Sequence, residues 1–222
     1  MRTTYDLRLI LDFLSDLREN NNKAWFDKNR ATYEPARDSF ERFIDHLISE
    51  FGAFENLQGL SARECISRIN RDIRFSKDKS PYKTNMGAAI APGGRKSVKL
   101  GHHILIGPHD ESLIAGGLYM PTPEQLTKFR QAVDRDANEL KRIASNKGFT
   151  QYFGSIEGDQ LATAPQGYSR THPEVELLRL KQITVVHHFS DKEILSSDFS
   201  AYTVKVCKAM KPFLDYLNLV LQ

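Results

Sequence analysis

The residues best suited to chemistry stand together in one short stretch, residues 71–83. Within it, six side chains with positive charge or an aromatic hydroxyl are the candidate ligand-binding residues: Arg71, Arg74, Lys77, Lys79, Tyr82 and Lys83. A guanidinium group can contact phosphate through two hydrogen bonds, and an ammonium group adds a compact positive charge. A tyrosine ring can stack or donate a hydrogen bond. The stretch therefore predicts binding of a phosphate-bearing or other anionic ligand.

The charge distribution along the chain supports the same interpretation. The 222 residues carry a formal net charge of only +3. Between Arg63 and Lys99, however, ten basic residues stand against three acidic ones, a net charge of +7, which leaves −4 for the rest. Such a segment favours an anionic partner, either a small molecule or nucleic acid. The small total charge and the lack of a known DNA- or RNA-binding motif argue against nucleic acid.

Two alternatives remain open for this stretch. In the first, the chain is an enzyme on a small phosphorylated or carboxylated substrate, which Arg71 and Arg74 hold while Asp72 acts as acid or base. No recognised catalytic signature accompanies Asp72, so enzymatic activity stays undecided. In the second, Asp72 and Asp78 pair with the neighbouring cations, and the stretch anchors a loop in a structural or interaction domain.

Metal ions and cofactors are not expected. The pairs His102-His103 and His187-His188 fall in predicted strands, where adjacent side chains point to opposite faces, so neither pair can easily hold one ion. Cys65 and Cys207 have no metal or redox spacing and are expected to be reduced thiols of a cytoplasmic protein. Residues 93–97 lack the Walker spacing and are interpreted as a solvated hairpin tip or an auxiliary anion contact.

Helices are predicted for both ends of the chain. Apolar residues at helical spacing run from Leu7 to Leu17, and a short helical piece follows around Trp25-Phe26. A further helix is predicted with Pro35 in its first turn and Gly52 as its stop. Thr122 is the expected N-cap of a helix that continues towards Gly148. The helices after it are predicted from Pro173 to Leu180, and from Ser197 to the end with a kink or break at Pro212.

Strands are predicted for the middle of the chain. Ile69, Ile73 and Phe75 fall on alternating positions, which is typical of a half-buried strand with Arg71 on the same face. Further strands are predicted at residues 86–91, 97–106, 111–120 and 183–189. Short turns between the middle strands imply an antiparallel meander, because parallel strands need long crossovers.

These elements predict one α+β domain spanning residues 1–222. Its antiparallel sheet has about four to six strands, and N-terminal, middle and C-terminal helices cover it. No membrane-spanning helix is expected, since no run of about 18 uncharged apolar residues occurs. The charged residues Asp6, Arg8 and Asp12 argue against a signal peptide.

The chain also resembles a bacterial and fungal family catalogued as domain of unknown function 2461. The resemblance spans nearly the whole chain, and its most specific part is the stretch Arg71–Thr84. The other matching residues are Asn21-Asn22, Trp25-Phe26, Gly116-Gly117-Leu118-Tyr119, Pro121, Pro165, Gly167-Tyr168 and His172-Pro173. The resemblance implies a single domain and no known reaction.

Overall fold

A computed structural model describes residues 5–222 of the chain. The helices of this part are α1 (Leu7–Glu19), α2 (Lys23–Lys28), α3 (Arg30–Phe51), α4 (Ala62–Cys65), α5 (Pro123–Arg135), α6 (Asn138–Ala144), α7 (Lys147–Phe153), α8 (Val175–Leu178), α9 (Asp191–Ile194) and α10 (Phe199–Val220). The strands are β1 (Met86–Ile90), β2 (His102–Ile106), β3 (Ser112–Leu118) and β4 (Ile183–Phe189). The structure thus has the predicted α+β class, with four strands.

The N-terminal helices form where the apolar spacing predicts them. The Asp6 side chain caps α1 by accepting a hydrogen bond from the Arg8 N–H, and the Asn22 side chain caps α2 in the same way. The apolar face of α1 is buried and packs against α3. The prediction for α3 was wrong at its start, because the helix begins at Arg30 and Pro35 lies inside it. Its end agrees with the prediction, since Gly52 follows the last helical residue.

The sheet is an antiparallel meander in the order β1-β2-β3-β4, as predicted. Strands β1 and β2 pair with Met86 opposite Ile106 and Ile90 opposite His102. Strand β2 starts five residues later than predicted, because a 3₁₀ turn at Gly94–Lys96 occupies the beginning of the connection. The connection is therefore longer than the simple hairpin turn that the sequence predicts.

The C-terminal half matches the prediction at its caps but not in its helix lengths. Thr122 and Gln125 form the predicted capping box at the start of α5. The helix then ends at Arg135 instead of continuing, since Asp136 has an extended backbone and its side chain accepts from the Asn138 N–H. Helix α7 extends past Gly148 to Phe153, where no helix is predicted, and α10 runs through Pro212 without a break.

The contacts between Cα atoms divide the chain into two compact units. The first comprises residues 5–98, His102–Ile114 and His188–Lys205, and the second comprises Lys99–Gly101, Ala115–His187 and Val206–Gln222. The single domain predicted from the sequence stays a prediction. Within residues 5–222, no helix has the length and apolar character needed to cross a membrane.

Each unit has its own buried apolar residues. In the first unit, helices α3 and α4 contact β1, and Phe40 and Phe43 of α3 are fully buried. In the second unit, Gly116 of β3 lies so close to α10 that a Cβ there would stand 2.2 Å from the Met210 sulfur. The absence of a side chain at Gly116 therefore allows β3 and α10 to approach each other closely.

Candidate functional site

The basic stretch 71–83 is a closed loop, and the predicted strand at residues 69–75 was wrong. Only an isolated bridge between Asn70 and Tyr82 remains of it. Two backbone hydrogen bonds close the loop at its base: the Arg71 N–H donates to the Pro81 carbonyl at 2.9 Å, and the Lys83 N–H donates to the Ile69 carbonyl at 2.8 Å. Beyond this base, no strand within residues 5–222 pairs with the loop.

Tyr82 anchors the loop base to the N-terminal helices. Its backbone N–H and carbonyl both bond to the Asn21 side-chain amide, at 3.1 and 2.9 Å. Its ring stacks on Phe26 with the centroids 4.1 Å apart, and the residue is 6% exposed. One face of the Tyr82 ring is therefore packed in the core against Phe26. The role of Tyr82 in ligand binding stays a prediction.

Arg71 is satisfied inside the loop. Its guanidinium forms an ion pair with Asp78 and donates to the Ser80 carbonyl at 3.2 Å and to the Ser76 hydroxyl at 3.3 Å. Hydrogen bonds from the Ser80 hydroxyl and backbone N–H, followed by Arg71, lower the pKa of Asp78 to about 2. Arg71, which is predicted to bind a ligand, therefore has partners within the loop.

Arg74 and Asp72 form a second internal pair. The guanidinium contacts the two carboxylate oxygens of Asp72 at 2.9 and 2.7 Å in an exposed, bidentate arrangement. Hydrogen bonds from the Arg74 side chain and backbone lower the pKa of Asp72, which weakens it as a proton acceptor. Nothing in this geometry favours Asp72 as an acid or base.

The outer part of the loop is open to solvent. The Lys79 ammonium donates to the Ile73 carbonyl at 3.0 Å, and Lys77 is exposed. The expectation that Phe75 faces the core was wrong, because its side chain is 95% exposed. In the part of the chain that the structure describes, Arg71, Arg74, Lys77 and Lys79 do not line the pocket at the base of the loop.

A basic pocket of about 580 Å³ lies at the base of the loop. It is bounded by the first half of α3, by residues 66–70, by residues 83–86 and by the 3₁₀ turn. Five cationic side chains line it: Arg37, Arg63, Arg68, Lys83 and Arg95. No carboxylate is among its lining residues in the part of the chain that the structure describes.

The cations of the basic pocket are only partly neutralised. Arg63 forms an ion pair with Glu41 at 2.6 Å. Arg95 donates to the Ile66 and Arg63 carbonyls at 2.5 and 3.4 Å, which fixes its position without cancelling its charge. Within residues 5–222, Arg37, Arg68 and Lys83 have no carboxylate within 4 Å.

Burial and the neighbouring positive charge both act on the Lys83 ammonium. Burial and then the nearby charge of Arg68 lower the pKa of the Lys83 ammonium. An anion bound between the two side chains would offset both effects, since it supplies the missing counter-charge.

Short local elements position the pocket walls. Helix α4 has a capping box between Ser61 and Glu64, and the Asp45 carboxylate on α3 accepts from the Ala62 N–H at 2.8 Å. The Ser67 N–H then donates to the Gly87 carbonyl of β1 at 2.8 Å. These bonds hold residues 66–68 between α3 and β1, with Arg68 at the pocket wall.

Gly94 brings the 3₁₀ turn against α4. Its φ is +67°, and a Cβ at this position would lie 2.6 Å from the Glu64 carbonyl oxygen. The absence of a side chain therefore allows the approach that places Arg95 at the pocket. Residues 93–97 are thus packed at Gly94 instead of forming a fully solvated tip.

Sequence reasoning left Arg37, Arg63 and Arg68 out of the candidate site residues, and it considered Arg95 only within a possible auxiliary anion contact at residues 93–97. The excess charge between Arg63 and Lys99 was a signal for three of them, but it did not single them out from the loop cations. Arg37 lies on α3, outside that segment, and has no distinguishing local pattern.

The histidines and cysteines form no metal centre in the described residues. No group of three or more His, Cys, Asp or Glu side chains within residues 5–222 is placed to hold a metal ion. His102 is fully buried with its Nε2 3.2 Å from a Glu55 oxygen. Cys65 and Cys207 are buried and form no disulfide with each other, and burial raises the pKa of Cys65 to about 12.

Comparison with known proteins identifies a family and no individual relative. No curated protein matches the chain, and no solved structure matches it. One family model, described as "Conserved hypothetical protein (DUF2461)", matches residues 9–216. Because this match spans nearly the whole chain, as the resemblance implied, the chain belongs to the DUF2461 family.

Proposed function

We propose that the chain binds a phosphate-bearing or other anionic ligand in the basic pocket, with Arg37, Arg68, Lys83 and Arg95 as its positive contacts. The observation that carries the proposal is a concave site whose described lining residues include five cations and no carboxylate. A cluster of like charges opposes folding unless something offsets it, so an external anion is the natural counter-charge.

The chemistry of the pocket suits a phosphate group. Arginine side chains offer paired donors in the geometry of phosphate oxygens, and Lys83 adds a point charge. The side chains of Ser67, Asn70 and Asn85 line the same pocket and offer neutral hydrogen-bonding groups. A volume of about 580 Å³ is in the range of small-molecule sites, which favours a small ligand over nucleic acid.

The proposal places the anion at the loop base, at Lys83, and gives the outer loop a structural role. Arg71 and Arg74 each pair with a carboxylate of the loop, and this favours an internal ion-pair network for residues 71–80. Contact of Lys77 or Lys79 with the ligand stays a prediction, and enzymatic activity stays undecided.

We also propose a cytoplasmic location. Two buried thiols that form no disulfide are typical of a reducing compartment.

The test is binding of pyrophosphate by isothermal titration calorimetry at low and high salt. Arg68→Ala and Lys83→Met should each weaken binding about ten-fold or more, because each removes a charged contact. Arg74→Ala is the matched control, since it removes an exposed cation outside the pocket. Its affinity for pyrophosphate should stay within about two-fold of the wild-type value. Binding that is equally strong in Arg68→Ala and Arg74→Ala would contradict the proposal.

A further inference from the structure

A second pocket adjoins the basic pocket. It has a volume of about 350 Å³, and the two pockets share Tyr33, Arg37, Ile69 and Asn70 as lining residues. A ligand held by its anionic end in the basic pocket could therefore extend past Tyr33 into the second pocket.

Three aromatic residues line the second pocket, against Tyr33 and Phe40 in the first. The rings of Phe26, Tyr33 and Tyr82 line it, and these rings pack on one another with centroid distances of 4.9 Å for Phe26–Tyr33 and 4.1 Å for Phe26–Tyr82. Tyr33 also contacts Phe13 at 5.3 Å, which holds its ring in place, and its side chain is only partly buried. A fixed, partly open aromatic ring favours a flat ring as its partner.

The second pocket also differs in its charge. Glu34 and Asp38 line it, and they lie four residues apart on α3, so they stand on the same helix face. Within residues 5–222, neither has a cation within 4 Å, whereas Arg30 pairs with Asp27 at 3.7 Å. Two carboxylates without a close ion pair are hydrogen-bond acceptors, and they favour a group that carries N–H donors.

We infer that the ligand of this site is a nucleotide whose phosphate lies in the basic pocket and whose base occupies the second pocket. A nucleotide combines a phosphate with a flat ring, and adenine and guanine carry the N–H donors that Glu34 and Asp38 would accept. This inference rests on the proposed function, because it needs the phosphate at Arg68 and Lys83. It adds the class of ligand and the residues that recognise its base.

The test compares two ligands that share a phosphate and a sugar and differ in the base. Adenosine 5′-monophosphate should bind the wild-type chain about ten-fold or more tightly than ribose 5-phosphate, because only the former fills the second pocket. Tyr33→Leu should lower this ratio towards one, although Glu34 and Asp38 still accept from the base, and Tyr33→Phe should preserve it, because the phenylalanine ring still stacks.

A second variant keeps the inference testable if Tyr33→Leu does not fold. The double variant Glu34→Ala/Asp38→Ala should weaken the binding of adenosine 5′-monophosphate. At the same time, it should strengthen the binding of ribose 5-phosphate or leave it unchanged. The two ligands respond differently because the loss of acceptors affects only the base, while the loss of negative charge favours any phosphate. A merely electrostatic or structural effect would move both affinities in one direction.

The outcomes separate the inference from the proposed function. If ribose 5-phosphate binds with dependence on Arg68 but adenosine 5′-monophosphate binds no more tightly, the base is not recognised and the inference is overturned. If neither ligand binds, or if Arg68→Ala changes neither affinity, the proposed function fails and the inference fails with it.

Discussion

Lys83 and Arg68 place two positive charges on the wall of one pocket, without a lining carboxylate between them. The charge of Arg68 and the burial of Lys83 both disfavour the protonated amine, and the pKa of Lys83 is lowered. The two cations therefore lower the stability of the ligand-free chain, and the same two cations favour the binding of an anion. Their effects on stability and on binding are opposite.

Replacing Lys83 by methionine should raise the stability of the ligand-free chain at neutral pH. The unfolded lysine binds its proton more tightly than the folded one, so the native state carries a cost below the lowered pKa. This cost is lost as the pH rises towards the unfolded value of 10.5, where the wild-type chain and Lys83→Met should converge. Urea denaturation at several pH values would measure the difference.

The control for this experiment is Lys77→Met, which removes an exposed lysine of the same stretch. It should leave the pH dependence of stability unchanged. A Lys83→Met variant that is less stable at neutral pH would mean that the lysine already has an internal counter-charge.

Arg71 should contribute to stability more than Arg74 does. Its side chain is three-quarters buried and joins Asp78, Ser76 and the Ser80 carbonyl, so Arg71→Met should cost roughly 1 kcal/mol. Arg74→Met removes an exposed pair with Asp72 and should cost less. Equal losses of unfolding free energy in the two variants, measured by urea denaturation, would argue against an anchoring network around Arg71.

The Asp78 carboxylate should give the loop an acid-sensitive stability. Its pKa in the folded chain is about 2, below the ordinary value of 3.8, so its stabilising effect is present above pH 3.8 and is lost as the pH falls towards 2. Asp78→Asn should therefore be less stable than the wild-type chain at pH 7, and the two should converge near pH 2. Thermal denaturation between these pH values would show a constant gap if Asp78 had no such role.

The part of the fold that could be predicted from the sequence depends on local patterns. Apolar spacing located α1, and the N-cap Thr122 located the start of α5. The alternation of Ile69, Ile73 and Phe75 failed because a strand also needs a partner. Here the side chains of Arg71, Asp72 and Asp78 bond to groups within the loop instead.

The site could be predicted only in part for a similar reason. The excess positive charge after Arg63 marked the right region, and Lys83 lies in the basic pocket as well as in the predicted set. Which cations converge depends on the packing of α3, α4 and the 3₁₀ turn around that pocket. Arg37 could not be found from local charge, because it comes from α3 and only the tertiary fold brings it to Lys83.

Phe75 should contribute little to stability despite its size. Its side chain is 95% exposed, and its contact within the loop is the Arg74 guanidinium, 5.9 Å from the ring centroid. Phe75→Ser should therefore change the free energy of unfolding by no more than about 0.5 kcal/mol. A buried position such as Phe40 is the comparison, since Phe40→Ala should cost about 3 kcal/mol or more. A large loss in Phe75→Ser would show that the ring packs against the protein.

Gly94 should couple the stability of the first unit to the affinity of the basic pocket. Alanine at this position must tolerate both a φ of +67° and a Cβ 2.6 Å from the Glu64 carbonyl oxygen, so Gly94→Ala should cost about 2 kcal/mol or more. The matched control is Gly59→Ala, where φ is +76° but nothing lies within 4 Å, and its cost should be only about 1 kcal/mol. Because Arg95 directly follows Gly94, pyrophosphate affinity should fall in Gly94→Ala and stay unchanged in Gly59→Ala. Equal affinities in the two folded variants, measured by calorimetry, would mean that the position of Arg95 does not control binding.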